Sequence, residues 1–577
     1  MAPLIYTSSV ASVPVVERSL YTHMFSSSDP NLVGEFPGSA PAFIDAVSGT
    51  TITRAGLKRL TLAFGFGIRN HLQTTAKRGD TVLIYSPNSL HWPVVVFGLV
   101  AAGLRCTLAN SGYNARELAH QYKDSGARLI ITSEDGLATI RKMLKELGIK
   151  EEQANRRIII LGSNLEWAGG PTAPHEPEAA GLLRIEDLLN LGTLSEEEKF
   201  EGKLAQETVY LCYSSGTTGK PKGVETTHQN ITSVLDMVKT LFPPINHGQS
   251  KFLGILPFYH IYGAVKLLHF PFTRGVPVVI QARFDPVQFC ANIEKYGITI
   301  ALIVPPVLVV LARHPAVDQY DMSSLDTLFS GAAPLGAALT NAVRYGLTET
   351  SPTTHMIPFT HATTKMGSIG VLLPNLEARL VIDGDGLGET EAPEGQAGEL
   401  WLRGPTIMKG YLGNKMATKE SITSDRWFKT GDIATRDADG FYYIIDRQKE
   451  LIKYKVFQLF PPAELESVLL THPEIADTAV IGVNSAKEAT ELPRAYVVHA
   501  HPDKVQSEVK RAEFCRHVQE WMQEKVARHK YLRGGVVIVD AIPKSAAGKI
   551  LRRELRDRAA KELRGRDPGE DLIKAKL

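Results

Sequence analysis

Short apolar runs alternate with stretches of helical periodicity from about residue 50 to residue 435, and this alternation limits the chain to α/β architecture. The runs include Thr81-Val-Leu-Ile-Tyr85, Arg128-Leu-Ile-Ile-Thr132, Ile158-Ile-Ile-Leu161 and Val276-Pro-Val-Val-Ile280. The most apolar window, 92–103, is too short to span a bilayer and reads as a buried helix, so no transmembrane segment is expected. Residues 162–206 are polar and read as surface connections. A turn signal at Asp437-Ala-Asp-Gly440 precedes a short strand, Phe441-Tyr-Tyr-Ile-Ile445. Beyond it, strand-like runs at 478–482, 494–499 and 535–539 and an amphipathic helix near 506–527 suffice for a small α/β domain of their own. A chain of 577 residues is too long for one core, so two or more domains are expected, without internal repeats.

Charge excludes some partners. With 64 basic against 62 acidic residues the net charge is +2, which gives no electrostatic case for nucleic acid or an anionic membrane. Cys106, Cys212, Cys290 and Cys515 are scattered without zinc spacing and read as reduced core cysteines of an intracellular protein. The N-terminus lacks the basic segment and long apolar run of a secretory signal.

Residues 213–223 read Tyr-Ser-Ser-Gly-Thr-Thr-Gly-Lys-Pro-Lys-Gly, following the apolar run Thr208-Val-Tyr-Leu-Cys-Tyr. The glycines Gly216 and Gly219 let backbone N–H groups approach an anion. The hydroxyls of Ser214, Ser215, Thr217 and Thr218 can donate to phosphate oxygens, and Lys220 and Lys222 add positive charge. A strand feeding such a loop is a place for a nucleoside triphosphate. The usual P-loop is excluded, because the glycine spacing before Lys220 is too short and Pro221 stands where Ser or Thr belongs.

This string resembles the signature of the adenylate-forming superfamily: acyl-CoA synthetases, luciferases and adenylation domains. Further motifs follow in that family's order: Pro257-Phe-Tyr-His-Ile-Tyr-Gly263, Ser330-Gly-Ala-Ala-Pro-Leu-Gly336, Tyr345-Gly-Leu-Thr-Glu-Thr-Ser-Pro352, Glu399-Leu-Trp-Leu-Arg-Gly404, Thr430-Gly-Asp432, Asp446-Arg-Gln-Lys-Glu-Leu-Ile-Lys453 and Pro543-Lys-Ser-Ala-Ala-Gly-Lys549. The resemblance covers nearly the whole chain and is strongest to the 4-coumarate–CoA ligase-like branch. It implies an α/β fold with a large N-terminal adenylate-forming domain of α/β subdomains (1–445) and a small, mobile C-terminal α+β lid domain (446–577). It implies an acid–CoA ligase that uses ATP, Mg2+ and CoA as co-substrate, makes an acyl-adenylate from a small carboxylic acid, and passes the acyl group to the thiol.

The resemblance also implies residue roles. Lys549 would bridge the carboxylate and the α-phosphate, with His260 and Thr348 also in the catalytic set. Nucleotide would be held by the 214–222 loop, by Tyr345 on adenine, by Thr348 on phosphate, by Asp432 on ribose, by Arg447 on ribose or phosphate, and by Lys453 and Gln458 on phosphate. His260, Ile261, Tyr262, Gly331 and Pro352 would line the acyl site, where a His and a Tyr suit an aromatic or medium-length acid. Glu349 would hold magnesium, as a hard oxygen ligand. The hinge would span 446–449, with Lys449, Lys455 and Val456 near the hinge and the CoA path. The C-terminal tripeptide Ala575-Lys576-Leu577 is a near variant of the Ser-Lys-Leu address, so an import receptor and a peroxisomal location are expected, with the cytoplasm as the alternative.

Two departures from the family stand out. Only eight residues, 337–344, separate Gly336 from Tyr345, where relatives place a helix and a buried strand. A helix of roughly 11 residues and a strand of about 5 do not fit there, which predicts displacement of Tyr345 and Glu349. Val456 stands where the family has Gly against the CoA arm, and a β-branched residue resists positive φ. The competing readings are a stand-alone adenylation enzyme serving a carrier protein and a catalytically impaired or non-catalytic nucleotide-binding relative.

Overall fold

The computed structural model describes residues 4–214, 221–312, 314–330, 344–382, 388, 390–447, 450, 452–454, 458–460, 462–485, 488, 490–526, 528–544, 550–564 and 568. Within these, an eight-stranded sheet runs in the order Leu183–Arg184, Ile158–Leu161, Leu129–Ser133, Thr81–Tyr85, Arg105–Ala109, Thr208–Ser214, Lys222–Thr227 and Gly410–Tyr411. It is parallel as far as Thr208–Ser214, and the last two strands are antiparallel. Its parallel strands are buried on both faces, which is why they read as unbroken apolar runs instead of alternating ones. The apolar window forms the helix His91–Ala101, in which every residue is buried. No described helix is long and apolar enough to cross a membrane.

The polar 162–206 stretch is more than surface connection. Leu183–Arg184 pairs with the Ile158–Leu161 strand, and Leu183, Ile185 and Leu188 are buried. A short apolar cluster, Leu182-Leu-Arg-Ile-Glu-Asp-Leu-Leu189, does this inside an otherwise polar stretch.

A second sheet orders Thr327–Ser330, Ile300–Ile303, Phe252–Gly254, Val278–Ile280, Pro41–Asp45 and Thr51–Thr53, with Thr327–Ser330 its outer described strand. The next described strand, Arg344–Tyr345, pairs antiparallel with His355–Met356 instead, and that strand pairs with Val371–Leu372. A third, antiparallel sheet holds Tyr6–Thr7, Glu377–Val381, Gly398–Arg403, Phe428–Arg436 and Tyr442–Arg447. One extended core gathers side chains from Leu20 to Tyr442, and a separate one runs from Ile452 to Ala559.

The second core is built on the long hairpin Ile475–Ser485 and Thr490–His499, with Val536–Ile538 parallel to the latter. Both hairpin strands extend beyond the apolar runs 478–482 and 494–499, because their ends carry polar residues that face water, such as Asn484. The helices Glu508–Gln523 and Arg552–Glu562 contact this sheet. Arg552 pins the second helix. Its guanidinium donates to Glu450 Oε2 at 2.9 Å, to both oxygens of Glu466 at 2.7 Å, and to the Val480 carbonyl at 3.2 Å. All three charged side chains are buried. Removing one member of a buried, paired network strands the others, so Arg552→Ala is expected to cost ~3–5 kcal/mol, read as a fall in the denaturation midpoint. A loss under about 1 kcal/mol would mean the network is solvated.

Candidate active site

The segment 257–263 is held from below. Asn88 accepts from the Phe258 N–H at 2.8 Å and donates to the Leu256 carbonyl at 2.9 Å. Gly263 is required by close approach: a Cβ there would lie 2.1 Å from the Pro257 carbonyl oxygen. His260 caps the short helix Ile261–Gly263, its Nδ1 accepting from the Tyr262 N–H at 3.2 Å. That bond assigns the proton to Nε2. Desolvation lowers the His260 imidazole to about 4, so it is neutral at physiological pH. His260, Ile261 and Tyr262 form one wall of a cleft; Tyr345 to Thr348 with Pro352 and Thr353 form the other.

The second wall is folded tightly on itself. A Cβ on Gly346 would fall 1.5 Å from the Pro352 carbonyl oxygen, so only glycine lets the two backbones meet. The Tyr345 hydroxyl donates to Asp432 Oδ2. Asp432 is buried in the Phe428–Arg436 strand, its N–H bonded to Thr430 Oγ1 at 3.1 Å and its backbone paired with Arg447. His355, fully buried, lies 5.7 Å from the Tyr345 ring and 4.6 Å from that of Tyr442. Burial drives its pKa to about 3, so it acts there as a neutral aromatic wedge.

A second polar cluster adjoins the first. Ser214, last residue of its strand, donates to Glu349 Oε1 at 2.9 Å. The Tyr411 hydroxyl donates to the same oxygen at 3.0 Å. The Glu349 backbone carbonyl accepts from the Met408 N–H at 2.9 Å. Lys222 pairs with Ser214 across the hairpin, and its ammonium sits 4.7 Å from the centre of the Tyr411 ring. Burial first, and the neighbouring Glu349 charge second, raise the Tyr411 phenol far above its ordinary value, so it is a permanent donor. The strands on either side of the 215–220 segment, Thr208–Ser214 and Lys222–Thr227, pair antiparallel.

Despite the short 337–344 link, Tyr345 stays bonded to Asp432 and Glu349 to Ser214, so the anticipated displacement is not seen. Ser215, Gly216, Thr217, Thr218, Gly219, Lys220, Gly331, Lys449, Lys455, Val456 and Lys549 lie outside the described residues, and Arg447, Lys453 and Gln458 are described by backbone alone. The base of the loop carrying Lys549 is described: Lys544 bridges Ile550, and the Leu551 N–H donates to the Pro543 carbonyl at 2.8 Å. Tyr411 and His355 escaped sequence reading. Tyr411 follows Met408-Lys-Gly in a run that reads as ordinary strand, and His355 stands alone among threonines. Among the described residues no group of three or more His, Cys, Asp or Glu could hold a metal ion by itself.

The fold and the cleft together define a nucleotide-dependent activating enzyme with a separate C-terminal domain. Residues 32–412 match the model of the AMP-binding enzyme family, and residues 464–549 match the AMP-binding enzyme C-terminal domain. The chain belongs to the AMP-binding enzyme family, within the adenylate-forming superfamily and on its 4-coumarate–CoA ligase-like branch. It is 35% identical over 497 residues to probable 4-coumarate–CoA ligase 1 of Dictyostelium discoideum, covering 83% of this chain and 86% of the relative. It is 35% identical over 543 residues to 4-coumarate–CoA ligase 1 of Petroselinum crispum, covering 91% and 92%. Its fold resembles that of the o-succinylbenzoate coenzyme A synthetase of Bacillus subtilis in complex with ATP and magnesium ion, with a TM-score of 0.70 at 24% identity over 90% of this chain and 97% of that one.

Proposed function

We propose that the protein is an ATP-dependent carboxylic acid–CoA ligase that forms AMP, acting on an aromatic or medium-chain acid. The observation that carries this reading is the convergence of motifs far apart in sequence on one cleft: Tyr345 on Asp432, and Ser214 on Glu349, beside the His260–Tyr262 wall. In the first step a carboxylate oxygen attacks the α-phosphorus of ATP and the bond to pyrophosphate breaks. In the second, the CoA thiolate attacks the acyl carbon and the bond to AMP breaks. Two anions meet in the first step, so cations must be aimed at the developing charge.

Tyr345 stacks on adenine while its hydroxyl fixes the Asp432 carboxylate that accepts from ribose, with Arg447, Lys453 and Gln458 around the same nucleotide. Ser214, the 215–220 loop, Lys222 and Thr348 take the phosphates. His260, Ile261, Tyr262, Gly331 and Pro352 receive the acyl group, and His260 Nε2–H is a neutral donor for the carboxylate. Glu349 fits a magnesium ion: it is a hard oxygen donor, and both hydrogen bonds to its carboxylate among the described residues fall on Oε1, leaving Oε2 to a cation. When bound, the ion neutralises phosphate charge. Residues 446–577 form the lid that turns at 446–449, exchanging Lys549 for the CoA path beside Lys455 and Val456.

Incubation with ATP, magnesium, CoA and a panel of acids tests the reading. AMP and an acyl-CoA in equal amounts are expected. ADP and phosphate, or no product with any acid, would contradict it. The short 337–344 link favours a second reading, a nucleotide-binding relative without turnover, which predicts ATP binding with no AMP. An enzyme serving a carrier protein would make AMP but no acyl-CoA.

The location proposed is the peroxisome, through receptor recognition of Ala575-Lys576-Leu577. Deleting these three residues from a fluorescent fusion is expected to convert punctate signal to diffuse cytosolic signal. Unchanged puncta would remove the tripeptide from the account.

A further inference from the structure

We infer that Tyr411 is a positioning residue for the metal-binding carboxylate: its phenol holds Glu349 while Ser214 is released to the phosphates. The inference rests on the reading of Glu349 as the magnesium ligand. A glutamate carboxylate turns about three side-chain bonds, so one oxygen must be fixed before the other presents a defined lone pair to a cation. Ser214 and Tyr411 both donate to Oε1, at 2.9 and 3.0 Å. The two donors are not equivalent. Ser214 is at the foot of the phosphate loop, and a hydroxyl that turns to a phosphate oxygen leaves Glu349. Tyr411 does not share that duty.

Its backbone is locked on both sides. The Tyr411 N–H donates to Thr418 Oγ1 at 3.0 Å, and the Leu412 N–H to the Gly223 carbonyl at 2.8 Å. Tyr411 itself pairs with Val224 at the edge of the eight-stranded sheet. The Lys222 ammonium, 4.7 Å from the ring centre, faces the π-cloud of the same phenol. Tyr411 thus links the strand that leaves the phosphate loop to the carboxylate that meets the ion. Sheet, ring and carboxylate form one continuous support, of the kind that orients metal ligands elsewhere.

Tyr411→Phe keeps the ring and removes only the donor. Mn2+ serves as the probe, titrated by electron paramagnetic resonance into the full-length protein bound to α,β-methylene-ATP. Affinity is expected to fall roughly tenfold, while binding of the analogue in EDTA stays within about twofold. In turnover, the magnesium concentration for half-maximal pyrophosphate release is expected to rise by more than the maximal rate falls. Glu349→Gln provides the reference, and adding Tyr411→Phe to it is expected to change Mn2+ affinity no further. If Glu349→Gln weakens Mn2+ binding and Tyr411→Phe does not, the positioning role is overturned and the ligand assignment stands. If Glu349→Gln itself leaves Mn2+ binding unchanged, the ligand assignment fails, and this inference with it.

Discussion

Replacing Lys549 with alanine is expected to lower acid-dependent pyrophosphate release by about 100-fold or more, while ATP binding stays within about threefold. The expectation follows from charge. A carboxylate approaching an α-phosphate needs a cation between them, and that interaction exists chiefly in the transition state, so its loss appears in rate and not in ground-state binding. On either side of the 545–549 segment, Lys544 bridges Ile550 and the Leu551 N–H donates to the Pro543 carbonyl. Lys544 is itself tied to Asp477 at 2.6 Å, and Arg552, three residues beyond Lys549, is buried against Glu450 and Glu466. Lys549→Ala thus removes a charge from a loop whose ends stay in place. A rate within about tenfold of the parent would rule out the role.

The second large effect concerns the 337–344 link. Inserting a helix and strand between Gly336 and Tyr345 is expected to raise acyl-CoA formation roughly tenfold or more, chiefly by lowering KM for both acid and ATP, whereas Val456→Gly alone leaves the first step unchanged. The Thr327–Ser330 strand ends at a buried Ser330 hydroxyl with no partner among the described residues. Each buried, unpaired polar group costs about 1–3 kcal/mol, and an inserted strand is expected to satisfy such groups. Tyr345 and Glu349 are not expected to be limiting, because Tyr345 bonds to Asp432 and Glu349 to Ser214. Full thioester formation restored by Val456→Gly alone would show that the short link is not limiting.

The sequence made legible what rests on contiguous pattern. Buried parallel strands are unbroken apolar runs, so Thr81–Tyr85 and Ile158–Leu161 could be read to the residue. The family was legible because its motifs follow one another in order along the chain, and residues 32–412 and 464–549 match its two models. What escaped was long-range and side-chain specific. Leu183, Ile185 and Leu188 enter the core from a polar stretch through one cluster only eight residues long, 182–189, which forms a two-residue strand and a single helical turn. Tyr411 meets Glu349 across 62 residues, and no periodicity encodes a contact made by a phenol tip. The short link predicted a displaced Tyr345, but Gly346 packs against Pro352 and the Tyr345 hydroxyl bonds to Asp432.

A ligase of this family first joins a carboxylate to AMP. Exchange of radiolabelled pyrophosphate into ATP, in magnesium and without CoA, reports that step alone and detects slow turnover. Exchange is expected to depend on an added aromatic or medium-chain acid and to be lost in Lys549→Ala. Label entering ATP equally with and without acid, or no exchange with any acid while ATP still binds, would contradict that expectation.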